Sequence, residues 1–366
     1  MVRILQYIGK LDIGGSQSMI LELYRKIDRT KVQFDFIVSP NVNEEMYNEI
    51  IELGGRIYEC PIYNVKNIFK YVKWWNKFFK KHTEYKVLHG HIRSVSSIYL
   101  HIAKKYGLIT IIHSHSTSNG AGIIGKIKDI MQYPARYQAD YLFACSEEAG
   151  KWMYGKKTIC NPNYRIIINA IDAQRFAYNA KTREKIREEL KIEDKFVIGT
   201  VGRLTASKNH IFLIEIFKNI HKKRQNSVLL IVGDGELKNK LQEQVNRYGI
   251  QRNVIFTGAK FNTEDYYQAM DVFAFPSLWE GLGISVVEAQ CSGLKCVVSE
   301  RIPPKVDLKA GILKRVKLEE KQLWIQEILN EYERKNQVDA TKKCGYDISE
   351  NSKKMQEFYI KINEKK

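Results

Sequence analysis

The sequence predicts an α/β protein made of two doubly wound domains, each with a parallel β-sheet covered by helices. Length is the first observation, because 366 residues are enough for two domains of ordinary size. The second is that short apolar runs alternate with amphipathic segments, which is typical of parallel sheets with helical crossovers. The third is that this alternation gives way to a polar stretch at 172–195 and then starts again.

Buried strands are predicted where short apolar runs are bounded by polar or glycine-rich segments. In the first half of the chain these runs are Ile4–Ile8, Phe34–Val38, Val87–His89, Ile109–Ile112 and Tyr141–Ala144. In the second half they are Phe196–Val201, Val228–Val232, Val254–Phe256, Val272–Phe275 and Lys295–Val298. The segments between them are predicted to be helices, as parallel strands require.

The restart of the pattern places the domain boundary near residue 174. We expect an N-terminal domain over 1–173, a C-terminal domain over 174–345 and a final helical segment over 346–366. A charged helix is predicted over Lys181–Leu190, and a last helix, begun by a serine cap, over Ser349–Ile362. Two such domains in tandem are expected to leave a cleft at the carboxyl ends of their strands, where these folds bind ligands.

The composition favours a protein with anionic partners. The formal net charge is +18, which implies nucleic acid, anionic lipid or phosphorylated ligands. No apolar run approaches the ~20 residues of a membrane-spanning helix, and the N-terminus lacks a signal-peptide pattern, so a cytoplasmic location is expected. The six cysteines form no CxxC pair and no Cys/His metal spacing, which favours free structural thiols.

Two candidate features follow strands of the first domain. Gly14 and Gly15 precede a helix, so the backbone can approach a ligand closely and the helix N-terminus can attract an anion. A simple tight turn is the alternative. His113 comes directly after a strand, where a neutral imidazole could bind a hydroxyl group or move a proton. A histidine that is merely hydrogen-bonded at a strand end is the other interpretation.

The second domain repeats this arrangement with cations and glycines. Arg203 and Lys208 lie at the turn after its first strand, and two cations so placed suit a diphosphate. A solvated basic turn would show the same pattern. Gly233 and Gly235 would allow a tight loop whose amides face the cleft, and Gly258 closes the following strand in the same way. Plain turn chemistry remains the alternative for these glycines.

The densest pattern is the segment 275–293. Glu280 lies on the loop after a strand, and Gly281 and Gly283 start a helix at its anion-binding end. Glu288 lies about one and a half turns into that helix, where it can still face the cleft. Carboxylates accept paired hydroxyl hydrogen bonds, so one glutamate near a sugar and the other near a ribose diol is a sensible division. Two glutamates at this spacing also arise by chance.

Taken together, these residues resemble the retaining glycosyltransferases of family four, which have the GT-B fold of two Rossmann-like domains facing a central cleft. The resemblance covers nearly the whole chain and is strongest over 199–299. The matching elements are Gly14-Gly15, His113, Ile168-Asn169-Ala170-Ile171-Asp172, Gly202-Arg203 with Lys208, Gly233-Asp234-Gly235-Glu236, and Glu280 with Glu288. The stretch 288–299 looks most like bacterial enzymes of capsule and exopolysaccharide assembly.

The resemblance implies roles for the residues of the second domain. Glu288 would bind the ribose of the nucleotide. Arg203 and Lys208 would hold the diphosphate and offset charge on the leaving group. Glu280, with the amides of 281–283, would position the donor sugar. The other residues expected at the donor site are Gly14, Gly202, Gly233, Gly235, Glu236, Gly258, Gly281, Leu282, Gly283 and Ile284.

In the first domain, the resemblance implies that Gly15 brings its amide to the diphosphate and that His113 contacts the sugar or assists at the reacting centre. The final helix is expected to cross back to this domain. The sequence departs from the family where Ser16 and Gln17 follow the glycines in place of a common Glu, and where Ala170 replaces a common Gly. The first departure lies near the expected acceptor side, so the family pattern does not identify the acceptor.

The resemblance implies transfer of a hexose or N-acetylhexosamine from a nucleotide diphosphate sugar, with UDP favoured, to a lipid-linked saccharide. No Asp-x-Asp motif stands at a strand end, so cations and helix N-termini are expected to replace a metal ion, and no cofactor is expected. Because no well-placed nucleophile emerges, the expected mechanism is front-face substitution in which the departing β-phosphate takes the acceptor proton.

A basic aromatic helix is predicted over 64–81, with its lysines on one face and its apolar residues on the other. A helix that covers the sheet fits this pattern. The lysine face could also meet anionic lipid, at roughly 1 kcal/mol for each lysine near the surface. This would place the protein peripherally on the inner face of the cell membrane.

Two other functions remain as alternatives. A nucleotide-sugar 2-epimerase has the same architecture and would release an altered sugar without an acceptor, although the pattern around Glu280 and Glu288 disfavours it. A nucleic-acid-binding protein is suggested only by the charge of +18. No recognition-helix module, zinc finger or paired aromatic strand motif supports it, so no nucleic-acid partner is expected.

Overall fold

The computed structural model describes residues 1–12, 15–40, 42–116 and 122–364. The chain divides into two compact units. Unit 1 consists of Met1–Ala170 together with Ile348–Lys366, and unit 2 consists of Ile171–Asp347. Unit 1 is therefore discontinuous in sequence, because its last helix follows the whole of unit 2.

The strands and helices of the described residues alternate along the chain. The strands are β1 (Val2–Gly9), β2 (Val32–Val38), β3 (Ile57–Glu59), β4 (Val87–Gly90), β5 (Ile109–Ser114), β6 (Tyr141–Ala144), β7 (Tyr164–Ile166), β8 (Phe196–Val201), β9 (Ser227–Val232), β10 (Val254–Phe256), β11 (Val272–Phe275), β12 (Lys295–Ser299) and β13 (Leu313–Val316). The helices are α1 (Gly15–Lys26), α2 (Glu44–Glu52), α3 (Ile68–Lys81), α4 (Ser96–Lys105), α5 (Gly122–Gln132), α6 (Ala135–Gln138), α7 (Glu147–Tyr154), α8 (Ala180–Leu190), α9 (His210–Lys223), α10 (Lys238–Arg247), α11 (Thr263–Ala269), α12 (Ile284–Cys291), α13 (Lys321–Leu329), α14 (Val338–Lys343) and α15 (Ile348–Asn363).

Unit 1 contains, within its described residues, a parallel sheet of seven strands in the order β3-β2-β1-β4-β5-β6-β7. The order reverses between β1 and β4, and this is the position where doubly wound sheets bind ligands at their carboxyl edge. Helices α3, α4, α6 and α7 share one core with β1, β4, β5 and β6. The last helix, α15, packs against α1 and β1.

The aromatic helix α3 covers this sheet because its apolar side chains recur at helical spacing. Tyr71, Trp75, Phe78 and Phe79 are all buried, whereas the lysines on the other side of the helix are exposed. The two faces predicted for this segment are therefore present. The helix begins at Ile68, after a single 3₁₀ turn over 65–67.

Unit 2 repeats the architecture with six parallel strands among the residues that the structure describes, in the order β10-β9-β8-β11-β12-β13. Its order reverses between β8 and β11. Gly199, in the middle of β8, faces Met270 so closely that a Cβ atom there would lie 2.0 Å from the methionine Sδ. A glycine is thus required for α11 and its C-terminal end to pack against the sheet.

All ten predicted strands are present, which confirms the α/β fold class. Three further strands, β3, β7 and β13, were not predicted. Each is three or four residues long and lies at the edge of a sheet, where side chains are half-exposed and the apolar run that marks a buried strand is absent. The last helix begins at Ile348, so Ser349 lies inside it rather than at its cap.

Candidate functional site

The carboxyl edge of the unit 2 sheet is built from loops that are hydrogen-bonded to one another. The Gly202 amide donates to Val232 O at 2.9 Å, and the Leu204 amide donates to Asp234 O at 2.9 Å. Gly233, with φ +144°, permits this contact, since a Cβ atom there would lie 2.0 Å from Gly202 O. The predicted glycines at 233 and 235 therefore act first by letting two loops touch, which fixes the backbone that carries Arg203.

Lys208 and Glu280 form an ion pair at this edge. Lys208 Nζ lies 2.6 Å from Glu280 Oε1, and the two side chains are only 18% and 10% exposed. The ammonium also lies 4.7 Å from the centre of the Phe275 ring. Backbone contacts hold the two loops together, because the Leu278 amide donates to Ser207 O at 2.7 Å. The structure thus brings together two predicted residues that are 72 positions apart.

The helix α12 begins directly after this pair. Gly283 precedes it with φ +87°, a left-handed conformation that favours glycine, and Ile284 is its first residue. The first amides of a helix have no partner within the helix and attract anions. Gly281 is half-buried and Leu282 is buried in the same turn. A phosphate or a sugar hydroxyl could therefore meet backbone donors beside Glu280.

Glu288 lies in the second turn of α12 and is half-buried. Its Oε2 accepts a hydrogen bond of 2.6 Å from the Tyr267 hydroxyl. Burial and the adjacent Glu288 charge raise the pKa of Tyr267 well above its ordinary value, so this hydroxyl keeps its proton and remains a donor. One carboxylate oxygen is thereby fixed in place by a residue that the sequence pattern did not indicate.

The remaining predicted residues of unit 2 lie on the surface of the same edge. Arg203 and Glu236 are exposed, and their side chains have no hydrogen-bond partner or ion-pair partner among the described residues. Gly258 lies on the neighbouring loop, where its carbonyl accepts from the Gly233 amide at 2.9 Å. His210, one position past Lys208-Asn209, is buried, and burial together with the Lys208 charge lowers its pKa to about 4.

In unit 1, the predicted glycine loop lies only partly within the described residues. Gly15 is exposed and is the first residue of α1, so its amide belongs to a helix N-terminus. Gly14 lies outside the described part of the chain. Gly15 therefore begins the helix that follows β1, and contact of its amide with a diphosphate stays a prediction.

His113 belongs to a group of four packed imidazoles, which we call the histidine cluster. Its members stand at the ends of two adjacent strands, β4 and β5, and they are His89, His91, His113 and His115. His113 stacks on His115 with a centroid distance of 4.0 Å. His91 Nδ1 lies 2.8 Å from His115 Nε2, and His91 Nε2 lies 2.9 Å from Gln6 Oε1.

The last helix, α15, contacts the histidine cluster through the hydroxyl of Tyr359. Tyr359 on α15 places its hydroxyl 2.7 Å from His89 Nδ1 and 3.3 Å from Gln6 Nε2. His113 is only 1% exposed, and neither of its ring nitrogens has a hydrogen-bond partner among the described residues. Of the histidine pair at this strand end, His115 is thus hydrogen-bonded, whereas His113 has no such partner in the described part of the chain. The burial of His113 also means that its contact with a ligand requires the edge above it to open.

All four imidazoles are neutral at physiological pH. Burial, reinforced by the neighbouring imidazoles, lowers the pKa of His89, His91 and His113 well below the usual range. Burial and the Arg93 charge lower the pKa of His115 to about 3. The cluster therefore offers lone pairs and N–H donors rather than positive charge.

Three members of the cluster, His89, His91 and His113, have ring nitrogens within 4.8 Å of one another, so they could hold a metal ion. Imidazole is a good ligand for zinc, copper and nickel. Both ring nitrogens of His91 are already engaged, however, by His115 and by Gln6, and the Tyr359 hydroxyl contacts His89 Nδ1. These contacts favour a hydrogen-bonding role for the cluster over a metal site.

Sequence reasoning found His113 alone. The signal for the others was present, since His89-Gly-His91 and His113-Ser-His115 end two adjacent strands with histidines at alternate positions. Alternate positions of a strand share one face, and neighbouring parallel strands bring those faces together. No comparable signal pointed to Tyr359.

A second basic region of unit 2 lies away from this edge. Arg183, Arg187 and Arg334 line a pocket beside the amino ends of β8 and β11. Their guanidinium groups donate mainly to backbone carbonyls and to the single carboxylate of Asp271. These arginines hold α8, α11 and β11 together, so the pocket is structural.

Comparison with known proteins identifies the class. Residues 13–175 match the family described as Glycosyltransferase Family 4, and residues 182–336 match the family described as Glycosyl transferases group 1. The protein is therefore a glycosyltransferase with two Rossmann-like domains, and the predicted resemblance is confirmed. Within the described chain, no helix combines the length and the apolar character needed to cross a membrane.

The relatives narrow this class. The chain is 31% identical to the putative glycosyltransferase EpsF of Bacillus subtilis over 323 residues, which cover 87% of this chain and 84% of that protein. The chain thus belongs to the family 4 glycosyltransferases of the polysaccharide-biosynthesis type. A segment of 139 residues, 37% of this chain and 36% of the relative, is 34% identical to the Escherichia coli UDP-Gal:alpha-D-GlcNAc-diphosphoundecaprenol alpha-1,3-galactosyltransferase.

Solved structures show the same fold. The crystal structure of Anabaena Alr3699/HepE in complex with UDP and glucose aligns with a TM-score of 0.77 and 16% identity, over 98% of this chain and 99% of that one. Sucrose-phosphate synthase from Thermosynechococcus elongatus aligns with a TM-score of 0.74 and 15% identity over the full length of both chains. These proteins have the GT-B architecture, which is thereby shown for this chain.

Proposed function

We propose that this protein transfers a hexose or N-acetylhexosamine from a nucleotide diphosphate sugar to a lipid-linked saccharide, with retention of configuration and without a metal ion. The observation that carries the proposal is the ion pair of Lys208 and Glu280 beside the N-terminus of α12. It places a cation and a carboxylate in contact beside a helix N-terminus, which suits a sugar attached to a diphosphate.

Relatives support the choice of substrates. UDP is favoured as the nucleotide because the similar Anabaena structure holds UDP and glucose. A lipid-linked acceptor is favoured because the Escherichia coli relative is named for a diphosphoundecaprenol substrate, as is a Campylobacter jejuni N-acetylgalactosaminyltransferase that is 26% identical over 172 residues. Synthesis of a bacterial surface polysaccharide follows as the setting.

Different residues of unit 2 bind the ribose, the diphosphate and the sugar of the donor. Glu288 accepts hydrogen bonds from the two ribose hydroxyls, because the Tyr267 hydroxyl orients its carboxylate. Lys208 and the exposed Arg203 bind the diphosphate, where Arg203 supplies a planar fork of donors. Glu280 binds hydroxyls of the sugar.

Donor binding changes the electrostatics of the ion pair. Before the donor arrives, Glu280 balances the charge of Lys208 at 2.6 Å. A bound diphosphate brings further negative charge, which Lys208 then shares with Arg203. The positive charge is already held in place before the leaving group develops its negative charge, so little reorganisation is needed in the transition state.

Unit 1 contributes groups of a different kind to the same reaction. The amide of Gly15, at the start of α1, donates to the diphosphate. His113 serves as a neutral donor or acceptor for the sugar, once the edge above it opens. Its ring nitrogens are free for this purpose among the described residues.

The proposed chemistry is a substitution on one face of the sugar. The bond from the anomeric carbon to the diphosphate oxygen breaks, and the acceptor oxygen bonds to the same face of that carbon. The acceptor proton passes to the departing phosphate, so no enzyme base is consumed. Arg203, Lys208 and helix amides offset the phosphate charge that a metal ion would otherwise balance.

The first experiment measures donor binding by thermal shift with UDP, GDP, ADP and their common sugars, with and without EDTA. A ligand at about 100 times its Kd should add about 2.7 kcal/mol to the free energy of unfolding. We expect UDP and its sugars to stabilise the protein despite EDTA, and the Glu288→Gln variant to lose this shift. Glu243→Gln, at an exposed position on α10, is the matched control. Stabilisation by none of the nucleotides would refute the donor site.

A second experiment separates transfer from epimerisation. The purified enzyme is given the stabilising sugar nucleotide with and without a lipid-linked saccharide, and the products are examined by NMR. Transfer with retention predicts a new glycosidic bond of the same anomeric configuration as the donor, formed only with acceptor. An altered sugar released without acceptor would instead identify a 2-epimerase.

A further inference from the structure

Helix α5 of unit 1 turns its apolar side chains outward, whereas an ordinary surface helix turns them toward the core. Its buried residues are Gly125 and Gln132, which offer almost no apolar surface to the core. Its exposed residues include Ile123, Ile124 and Ile130, which are 79%, 70% and 73% exposed. Surface helices normally bury their apolar stripe against the protein, whereas the isoleucines of α5 are not covered by any of the residues that the structure describes.

The exposed isoleucines form one continuous stripe. At ~100° per residue, Ile123, Ile127 and Ile130 fall within about 60° of one another, and Ile124 lies at the margin. Gly125 and Gln132 lie on the opposite side, which agrees with their burial. We call these four isoleucines the isoleucine face. Single exposed apolar residues are ordinary, whereas a contiguous exposed face marks an interaction surface.

Cations and aromatic rings border the isoleucine face. Lys126 and Lys128 are exposed and project on either side of it. Tyr133 and Tyr137, directly after the helix, are 51% and 71% exposed, and the Arg136 guanidinium lies 4.1 Å from the centre of the Tyr133 ring. Apolar residues flanked by lysine and tyrosine are typical of a helix that lies in the interface of a bilayer.

We propose that the isoleucine face of α5 inserts into the boundary between the headgroups and acyl chains of an anionic membrane. The charge of the chain favours lipid over a second copy of the protein as the occupant. With a net charge of +18 and lysines on both sides of the face, two copies would repel one another, whereas anionic headgroups would attract it. Insertion would keep the enzyme beside membrane-embedded acceptors.

This surface differs from the lysine-rich face of α3. The large apolar residues Tyr71, Trp75, Phe78 and Phe79 of α3 are buried in the core, and Phe69, at 87% exposure, is its one strongly exposed apolar side chain. Contact of α3 with lipid would therefore rest mainly on the electrostatic attraction of its lysines. Such attraction falls off within a Debye length and is screened by salt. The isoleucine face adds apolar burial, which salt does not weaken. Membrane contact through 64–81 stays a separate prediction that the same experiment tests.

The test is cosedimentation of the full-length protein with vesicles of phosphatidylglycerol and phosphatidylcholine in equal parts, at low and high salt. The first variant is Ile123→Asn with Ile130→Asn. Its matched control is Ile51→Asn with Ile62→Asn, which changes two exposed isoleucines elsewhere in unit 1. The second variant is Lys70→Glu with Lys73→Glu and Lys77→Glu, on α3.

We expect the α5 variant to reduce the vesicle partition coefficient by about tenfold or more at both salt concentrations, while the control binds as the unmodified protein does. Unchanged binding by the α5 variant would overturn the proposal, as would binding lost only in the α3 variant. So would a salt-stable dimer in light scattering that the α5 variant dissociates. The nucleotide thermal shift of each variant is measured in parallel, so failure of membrane binding is distinguishable from failure of the proposed function.

Discussion

Breaking the ion pair of Lys208 and Glu280 is expected to affect stability and activity by separable amounts. Removing one member of a fully buried pair costs about 3–5 kcal/mol, because the other charge is left desolvated, whereas an exposed pair contributes about 0–1 kcal/mol. With exposures of 18% and 10%, this pair lies between the two cases. We therefore expect Lys208→Met to lower the free energy of unfolding by about 2 kcal/mol.

A double-mutant cycle isolates the interaction. Combining Lys208→Met with Glu280→Gln removes both charges, so the double variant should lose about 1–2 kcal/mol less than the sum of the single variants. Urea unfolding followed by tryptophan fluorescence measures all four proteins. The control cycle uses Lys185→Met and Glu189→Gln on α8, an exposed pair whose charged atoms are 3.9 Å apart. Its coupling energy should not exceed about 0.5 kcal/mol.

Activity should behave differently from stability in the same cycle. Because each side chain is proposed to bind a different part of the donor, each single variant and the double variant should lose about two orders of magnitude in kcat/KM or more. Recovery of activity in the double variant would refute the catalytic roles and leave the pair as a structural element. Strictly additive effects on stability would refute the assigned contact.

Three further outcomes are expected. Arg203→Ala should lower kcat/KM by about two orders of magnitude. Because the side chain is exposed, the free energy of unfolding should change by no more than about 0.5 kcal/mol. A loss of kcat/KM below about threefold in steady-state kinetics would contradict the role of Arg203. Burial holds the pKa values of the histidine cluster below the unfolded value of ~6.5. Below that pH the unfolded chain therefore binds more protons than the folded one. The free energy of unfolding should accordingly fall from about pH 6.5 toward pH 5, by up to ~1.4 kcal/mol per pH unit for each histidine. Urea unfolding at about pH 7, 6 and 5 measures this slope, and exposed His101→Gln should leave it unchanged. Tyr359→Phe should lower the free energy of unfolding by about 1–3 kcal/mol, because His89 Nδ1 loses its hydrogen-bond partner. The control Tyr47→Phe, on α2, should change it very little. Equal effects of the two variants in urea unfolding would contradict the contact between Tyr359 and His89.

The sequence was most informative where local pattern and burial coincide. Each predicted strand is a run of mainly apolar residues, and nine of the ten lie inside a sheet, where the pattern and the environment agree; only β10 is an edge strand. The edge strand β13 (Leu313–Val316) contains a lysine and an arginine, and its pairing with β12 is visible only once the sheet is assembled. Edge strands obey weaker local rules, which is why three of them were missed.

The candidate site shows the same division. Lys208 and Glu280 could be predicted singly, since each follows a strand, but their contact depends on the adjacency of β8 and β11, which the sequence order does not state. Tyr359 is 270 residues from His89, and only the packing of α15 brings them together. Residue types at strand ends are thus predictable from sequence, whereas partners contributed by distant segments are not.

The discontinuity of unit 1 has a consequence for biosynthesis. The first 170 residues leave the ribosome long before α15, because the 177 residues of unit 2, from 171 to 347, are translated in between. At about 5–20 residues per second, that interval is on the order of ten seconds or more. During it, the nascent N-terminal sheet lacks the helix that packs on α1 and β1, and His89 and Gln6 lack the Tyr359 hydroxyl. Unit 2 is a continuous segment and can fold as it emerges from the ribosome. Unit 1 is therefore the first unit to be translated and the last to finish folding.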